Sequence, residues 1–430
     1  MNRRSFLRTA AAAGASAFLP PPLRAARPAD EKLILSAPLT HSDWMLKPGI
    51  AWGEPGVRHM LEACQAAGWS RVYWRVTDAG QATYASKLMR IAQRPDADNI
   101  FNPQTDANRE IVKRLLPNLT AAQGQGYLEK FAKMDYGAFD SLAAAVKIGH
   151  ELGLEVHAWM TINEDDHGWG WASEFSKAHP QFRWVRRDGR TYRSQLSFAF
   201  EEVRRYKLGL LAELLAYPID GVFLDWIRTG DIRDNPQNDP AGIPDFGYEA
   251  PNLAAFEKQT SSTPHEVATE DERWAHVRAE PQTLFMRAAR ELCRARAPQL
   301  PLSAMVGHPW HYRGAIERIA GNLRGLLLDV AAWAHEGLVD SVVAAGYYRD
   351  GGTPEKAQRA LVEETGGKVD VWSYAWVPPD VAAFEREFEL ASSLGARQIL
   401  FWEADYIDDR ANAAELKQAM SARSQKPRMP

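Results

Sequence analysis

The sequence predicts an α/β protein, a (β/α)8 TIM barrel with long loops on its C-terminal face. Three observations point there. Eight short apolar runs are spaced along the 430 residues, at 33–38, 71–76, 155–162, 221–228, 302–307, 341–348, 369–376 and 398–402. Segments with helical periodicity lie between them, and several are closed by a glycine. Aromatic and charged side chains collect just after the runs. Short continuous apolar runs suit strands buried on both faces of a parallel sheet. Alternation with helices makes the sheet parallel, and eight repeats close it into a barrel.

The chain begins with residues 1–30, which read as a targeting segment. Asn2-Arg3-Arg4-Ser5-Phe6-Leu7 is close to the twin-arginine export pattern. A weakly apolar stretch from Ala10 to Leu19 follows, then Pro20-Pro21-Pro22. It is too short for a stable membrane anchor. The expected destination is the periplasm or the medium.

The run at 33–38 opens the barrel. A helix over 57–67 stops at Gly68, and Ala67-Gly68-Trp69-Ser70-Arg71-Val72-Tyr73-Trp74 turns the chain into the second run. A helix over 136–152 stops at Gly153 before the third. The last helix, 381–394, stops at Gly395 before the eighth. Glycine just past a helix supplies the left-handed residue that ends it. Residues 77–135, 163–200 and 229–282 exceed an ordinary strand–helix loop, and all three fall on one rim. Long loops in a compact domain are commonly lids or walls. The organisation is therefore one catalytic barrel over 31–420, with a polar, disordered tail at 421–430.

Composition narrows the function. The 45% hydrophobic and 25% charged content is that of a globular enzyme. The net charge is -4, and residues 1–30 carry five Arg against one Asp, so the remainder is more acidic still. With no basic stripe, nucleic acid is not an expected partner. Fifteen Trp is a high count, and flat indoles stack on the apolar faces of sugar rings. Cys64 and Cys293 lie in helical patterns and read as buried free thiols. No CxxC, HExxH or clustered His/Cys spacing calls for a metal, and no cofactor is expected. The oligomeric state is left open.

Barrel enzymes carry their chemistry at the C-terminal ends of the strands. Asp225 breaks the fourth run abruptly and is followed by Trp226 and Arg228. Glu403 ends the eighth run, on the wall facing the fourth. Glycosidic cleavage needs two flanking carboxyl groups. Asp225 is the candidate nucleophile or base, with Arg228 favouring its charged form, and Glu403 is the candidate proton donor. Asp405 and Glu164 to Asp166 are further carboxylate sources. The candidate substrate-binding groups are Trp44, Arg75, His157, Trp159, Asn163, Glu164, Asp165, Trp226, Arg228, His308, Trp310, Tyr347, Trp376, Trp402 and Asp405. His157 faces inward by alternation and is expected to bind a sugar hydroxyl or orient Asp225.

Two segments resemble the glycosyl-hydrolase-like family 10, exported bacterial (β/α)8 proteins. They are Leu152-Gly153-Leu154-Glu155-Val156-His157-Ala158-Trp159 and Asp220-Gly221-Val222-Phe223-Leu224-Asp225-Trp226-Ile227-Arg228, with Trp226 where the family usually has Tyr. The stretch from Ala172 to Arg187, with His179-Pro180 and Trp184-Val185, is also similar. The resemblance covers roughly residues 135–230. It implies a glycoside-hydrolase-type barrel with Asp225 central, and it transfers neither a substrate nor the second carboxylate.

The reading is an exported glycoside hydrolase acting on a poly- or oligosaccharide. Two alternatives stay open: a non-catalytic carbohydrate-binding barrel that keeps the aromatic cleft, and another barrel hydrolase.

Overall fold

The computed structural model describes residues 32–41, 44, 47, 49–78, 80–92, 95–163, 165, 170–225, 245–269, 271–307, 323, 326–344, 354–402 and 404–425. Eight parallel strands close a barrel: β1 (Ile34–Leu39), β2 (Arg71–Arg75), β3 (Glu155–Thr161), β4 (Gly221–Asp225), β5 (Leu302–Val306), β6 (Ser341–Ala344), β7 (Asp370–Trp376) and β8 (Gln398–Trp402). Each pairs with the next in sequence, and β8 closes on β1 through Ile34 opposite Gln398. All eight expected runs are strands. The expected extensions of the fourth and sixth beyond 225 and 344 lie outside the described residues.

The main outer helices are α1 (Glu54–Ala66), α2 (Ser141–Glu151), α3 (Glu201–Leu214), α4 (Glu272–Arg296), α5 (Val330–Glu336), α6 (Pro354–Glu364), α7 (Val381–Ser393) and α8 (Ala413–Arg423). The glycine stops are real: Gly153 has φ 73° and Gly395 φ 70°. The expected helix at 136–152 starts later, because Asp140 is extended and its carboxylate accepts the N–H of Ala143 as an N-cap. Helix α4 starts inside the expected third loop, where Asp271 caps it through the N–H groups of Arg273 and Trp274. Residues 421–425 of the expected disordered tail are ordered, and 426–430 lie outside the described residues. Helix α8 runs to Arg423, and the backbone of Leu33 bonds both Arg423 and Gln425. Cys64 and Cys293 are free and buried.

The core has two layers. Outward-facing strand residues such as Val72, Val156, Val222 and Ile399 pack under the helices. Tyr73, Trp159, Phe223, Met305, Val343, Trp372, Tyr374 and Leu400 fill the barrel itself, so its centre is packed and no pore runs through it. The N-terminal end is plugged by a polar network. Gln398 Nε2 donates to Ser36 Oγ (2.8 Å) and to the Tyr73 hydroxyl (2.6 Å), and its Oε1 accepts from Arg71 (2.7 Å). Arg71 also donates to Glu155 (2.6 Å).

The long loops build the opposite rim. The first carries helices Asp106–Leu115 and Ala121–Phe131, and the second a hairpin of Arg183–Val185 with Thr191–Leu196. That hairpin is stitched to residues 245–249 of the third. Glu249 accepts the Val185 N–H at 2.6 Å, and the Val185 carbonyl accepts from Gly247 and Tyr248 at 3.1 Å each. Arg186 pairs with Asp245 at 3.0 Å. Among the described residues no helix is long and apolar enough to cross a membrane.

Candidate active site

Asp225 is the last residue of β4, in register with Thr161 at the end of β3. Phe223 and Asp225 alternate inward along the strand, which carries the Asp225 side chain to the top of the packed interior. It is only 2% exposed. The indole Nε1–H of Trp159, on the neighbouring strand, donates to Asp225 Oδ2 at 2.9 Å. A buried carboxylate needs such donors, since desolvating it unpaired is costly. The Arg75 guanidinium lies 5.3 Å from the centre of the Trp159 ring, within cation–π range. Beside them the hydroxyls of Thr77 and Thr161 share a 2.6 Å hydrogen bond.

An aromatic arc continues from this point. Trp159 meets Trp402 edge to face, with centroids 5.4 Å apart at 69°. Trp402 lies 6.1 Å from Tyr374, which contacts Trp376 edge-on at 6.4 Å. Trp376 is 36% exposed at the tip of β7, one of four large apolar side chains in the described residues that face solvent. It lines a small cleft with Tyr374, Pro378, Pro379 and Glu387. Burial raises the Glu387 carboxyl above its ordinary value. The structure therefore brings together Arg75, Trp159, Asp225, Trp402 and Trp376 from β2, β3, β4, β8 and β7. Tyr374, two residues before the end of β7, joins them.

Other expected site residues are placed elsewhere. His157 is inward-facing, as its alternation required, yet it pairs with Gly221, the first residue of β4. Four residues of extended strand, about 13 Å, separate that level from Asp225. A Cβ on Gly221 would stand 2.1 Å from His157 Nδ1, so the ring occupies the space that this glycine leaves. Burial pushes the His157 pKa down to about 4, with the nearby Arg71 charge adding to the effect, so the imidazole is neutral at neutral pH. His157 belongs to the closed end of the barrel. Asp165 is fully buried, and its carboxylate holds Lys207 of α3 at 2.6 Å. That pair fastens the second rim loop to the helix layer. Asn163 is also buried, and Trp44 is buried in the large core cluster, with the Lys47 ammonium 5.8 Å from its ring centre.

Asp405 is half-buried, 3.6 Å from Lys47, which also reaches Asp409 at 2.9 Å. Burial raises the Asp405 carboxyl and Lys47 opposes the shift. Tyr406, missed by the sequence reading, is 44% exposed, with the Lys47 ammonium 5.1 Å from its ring centre. The only signal for it was one more aromatic shortly after the eighth run. Glu164, Trp226, Arg228, His308, Trp310, Tyr347 and Glu403 lie outside the described residues. Among the described residues no three His, Cys, Asp or Glu side chains group in a way that could hold a metal.

Comparison with known proteins adds to this geometry. A family model described as "Glycosyl hydrolase-like 10" matches residues 113–371. No curated protein matches the chain. Among solved structures, the chain is similar to the PgaB (BpsB) glycoside hydrolase domain from Bordetella bronchiseptica, at 13% identity and TM-score 0.57, covering 92% of this chain and 100% of that one. It is also similar to the catalytic domain of β-amylase from Paenibacillus polymyxa, at 10% identity and TM-score 0.55, again over 92% and 100%. At these identities the likeness establishes the barrel fold.

Proposed function

Since the chain belongs to the glycosyl hydrolase-like 10 family, we propose that it is an exported glycoside hydrolase cleaving a poly- or oligosaccharide at the barrel mouth. One observation carries the reading: a buried carboxylate, Asp225, held by an indole N–H at the C-terminal end of β4 and flanked by an aromatic arc that ends in an exposed tryptophan. Sugars suit such a surface, because their CH faces stack on aromatics while carboxylates and guanidinium groups take the hydroxyls.

In this reading Asp225 acts as nucleophile or base, and Glu403, next in sequence after Trp402, donates the proton to the leaving oxygen. Water is added across the C–O bond: one product keeps the new hydroxyl and the other leaves with the donated proton. A carboxylate separation of about 5–5.5 Å gives retention and about 6.5–9.5 Å gives inversion. The twin-arginine pattern at residues 2–7 supports export to the periplasm or beyond.

The test is product release from a broad glycan panel, with Asp225→Asn run beside the wild type. Release by the wild type alone supports the hydrolase and names its substrate class. Binding without release, by both proteins, replaces it with the non-catalytic carbohydrate-binding barrel.

A further inference from the structure

Trp159 was expected to bind substrate as a sugar platform, and its surroundings argue against that role. Its side chain is 3% exposed. The Arg75 guanidinium stands over the ring at 5.3 Å, and Trp402 closes on it edge to face at 5.4 Å. A stacking platform must offer an open face to the sugar, as the 36% exposed Trp376 does. Trp159 directs its one polar atom inward instead, donating to Asp225 Oδ2 at 2.9 Å.

We propose that Trp159 is a positioning residue that fixes the orientation of Asp225 and holds it in the ionised form, so that Asp225 takes the nucleophile-or-base half of the reaction. The proposal rests on the glycosidase reading of this site. An indole N–H can only donate. It therefore bonds the carboxylate better than the carboxylic acid, and a hydrogen bond to the charged form favours that form. Arg75 acts in the same direction, since a cation over the π face draws electron density from the ring and strengthens the N–H as a donor. The contact also sets the rotation of the carboxyl plane, because Oδ2 must stay on the line of the indole N–H.

The indole cannot drift away from this bond. Trp159 is paired in register with Arg75 on one side and Phe223 on the other, inside the packed barrel centre. Supporting groups locked by their own packing are what holds a reacting side chain in its productive geometry. The consequence for the mechanism is a division of labour: the proton for the leaving oxygen comes from a group other than Asp225.

The experiment has two arms on the full chain. In the first, the Trp159 indole resonance of 15N-labelled protein, assigned with Trp159→Phe, is followed from about pH 3 to about pH 8, across the carboxylate range. The expected result is a titration that disappears in Asp225→Asn. An indole shift that is the same in both proteins at every pH overturns the proposal. In the second, hydrolysis of whichever panel glycan the wild type cleaves is measured for Trp159→Phe. The expected result is a roughly ten- to hundredfold loss in kcat/KM, carried by kcat. The acid limb of the pH profile should move to higher pH. A raised KM with an unmoved acid limb overturns the proposal and returns Trp159 to substrate binding. The arms also separate the two readings. A titrating indole in a protein that cleaves no glycan supports the Trp159–Asp225 coupling and removes the hydrolase.

Discussion

Lys207 on α3 and Asp165 in the rim loop after β3 meet at 2.6 Å with both side chains closed off from solvent. Asp165, read from the sequence as a substrate-facing carboxylate, instead moors its loop to the helix layer. Mooring of this kind keeps the end of β3 and the loop that leaves it in a fixed relation.

Breaking one partner of that pair strands a buried charge. Lys207→Met should therefore cost about 3–5 kcal/mol of unfolding free energy, measured by urea denaturation. The double change Lys207→Met with Asp165→Leu should recover most of the loss. A single variant within about 1 kcal/mol of wild type would mean that the pair contributes no net order to the loop.

Gly221 and His157 make a steric prediction. A methyl group at 221 would overlap the buried imidazole, whose nearest ring atom is 2.1 Å away. Gly221→Ala should destabilise by about 3 kcal/mol, since the overpacked ring has no room to retreat. In a His157→Ala background the same change should cost far less. Equal costs in both backgrounds would show that the strain lies in the backbone and not in the ring.

Glu249 supplies a pH dependence. Burial pushes its pKa up to about 7, from an ordinary 4.5. The folded protein thus holds this proton more tightly than the unfolded chain. The stability it supports is present below about pH 4.5 and is lost as the pH rises through about 7. Denaturation at several pH values should show the wild type losing stability relative to Glu249→Gln over this window. A constant difference between the two proteins would contradict the assignment.

Trp376 is the position for a binding test that spares the fold. Its indole is part-exposed at the rim, so Trp376→Ala should leave the melting temperature almost unchanged. Saccharide affinity should fall roughly tenfold, seen as a higher KM with little change in kcat. An equal loss in kcat would move Trp376 from substrate binding into the orientation of the reacting groups.

The barrel was legible because its signals are local. Gly221 to Leu224 is a continuous apolar run, Leu302 to Val306 is apolar but for Ser303, and Gly153 and Gly395 announce helix ends within a residue. The site was legible only in part, because alternation gives the face of a strand and not the depth along it. His157 and Trp159 share the inward face of β3, yet one sits in the polar plug and the other beside Asp225. Asp165 was misread for a different reason. Its partner is 42 residues away on a helix, and no local pattern announces such a pairing. Trp44 is buried where an open stacking face was expected, because the residue type past a strand end does not tell how much of it the neighbouring loops cover.

The stitching of the hairpin Arg183–Leu196 to residues 245–249 joins positions 64 apart in the chain, Val185 and Glu249. Two segments bonded in this way act as one mechanical piece, so a change in one is felt in the other. A relative that replaces Glu249 loses the acceptor for the Val185 N–H and half the reason to keep Asn252, which donates to the same carboxylate at 3.1 Å. The turn of the hairpin is tied down as well, since the Arg187 N–H donates to the Asp245 carbonyl at 2.9 Å and its guanidinium reaches Thr269 at 3.1 Å and the His265 carbonyl at 2.7 Å. This wall of the mouth therefore behaves as a single piece, and reshaping it means replacing several of these bonds at once.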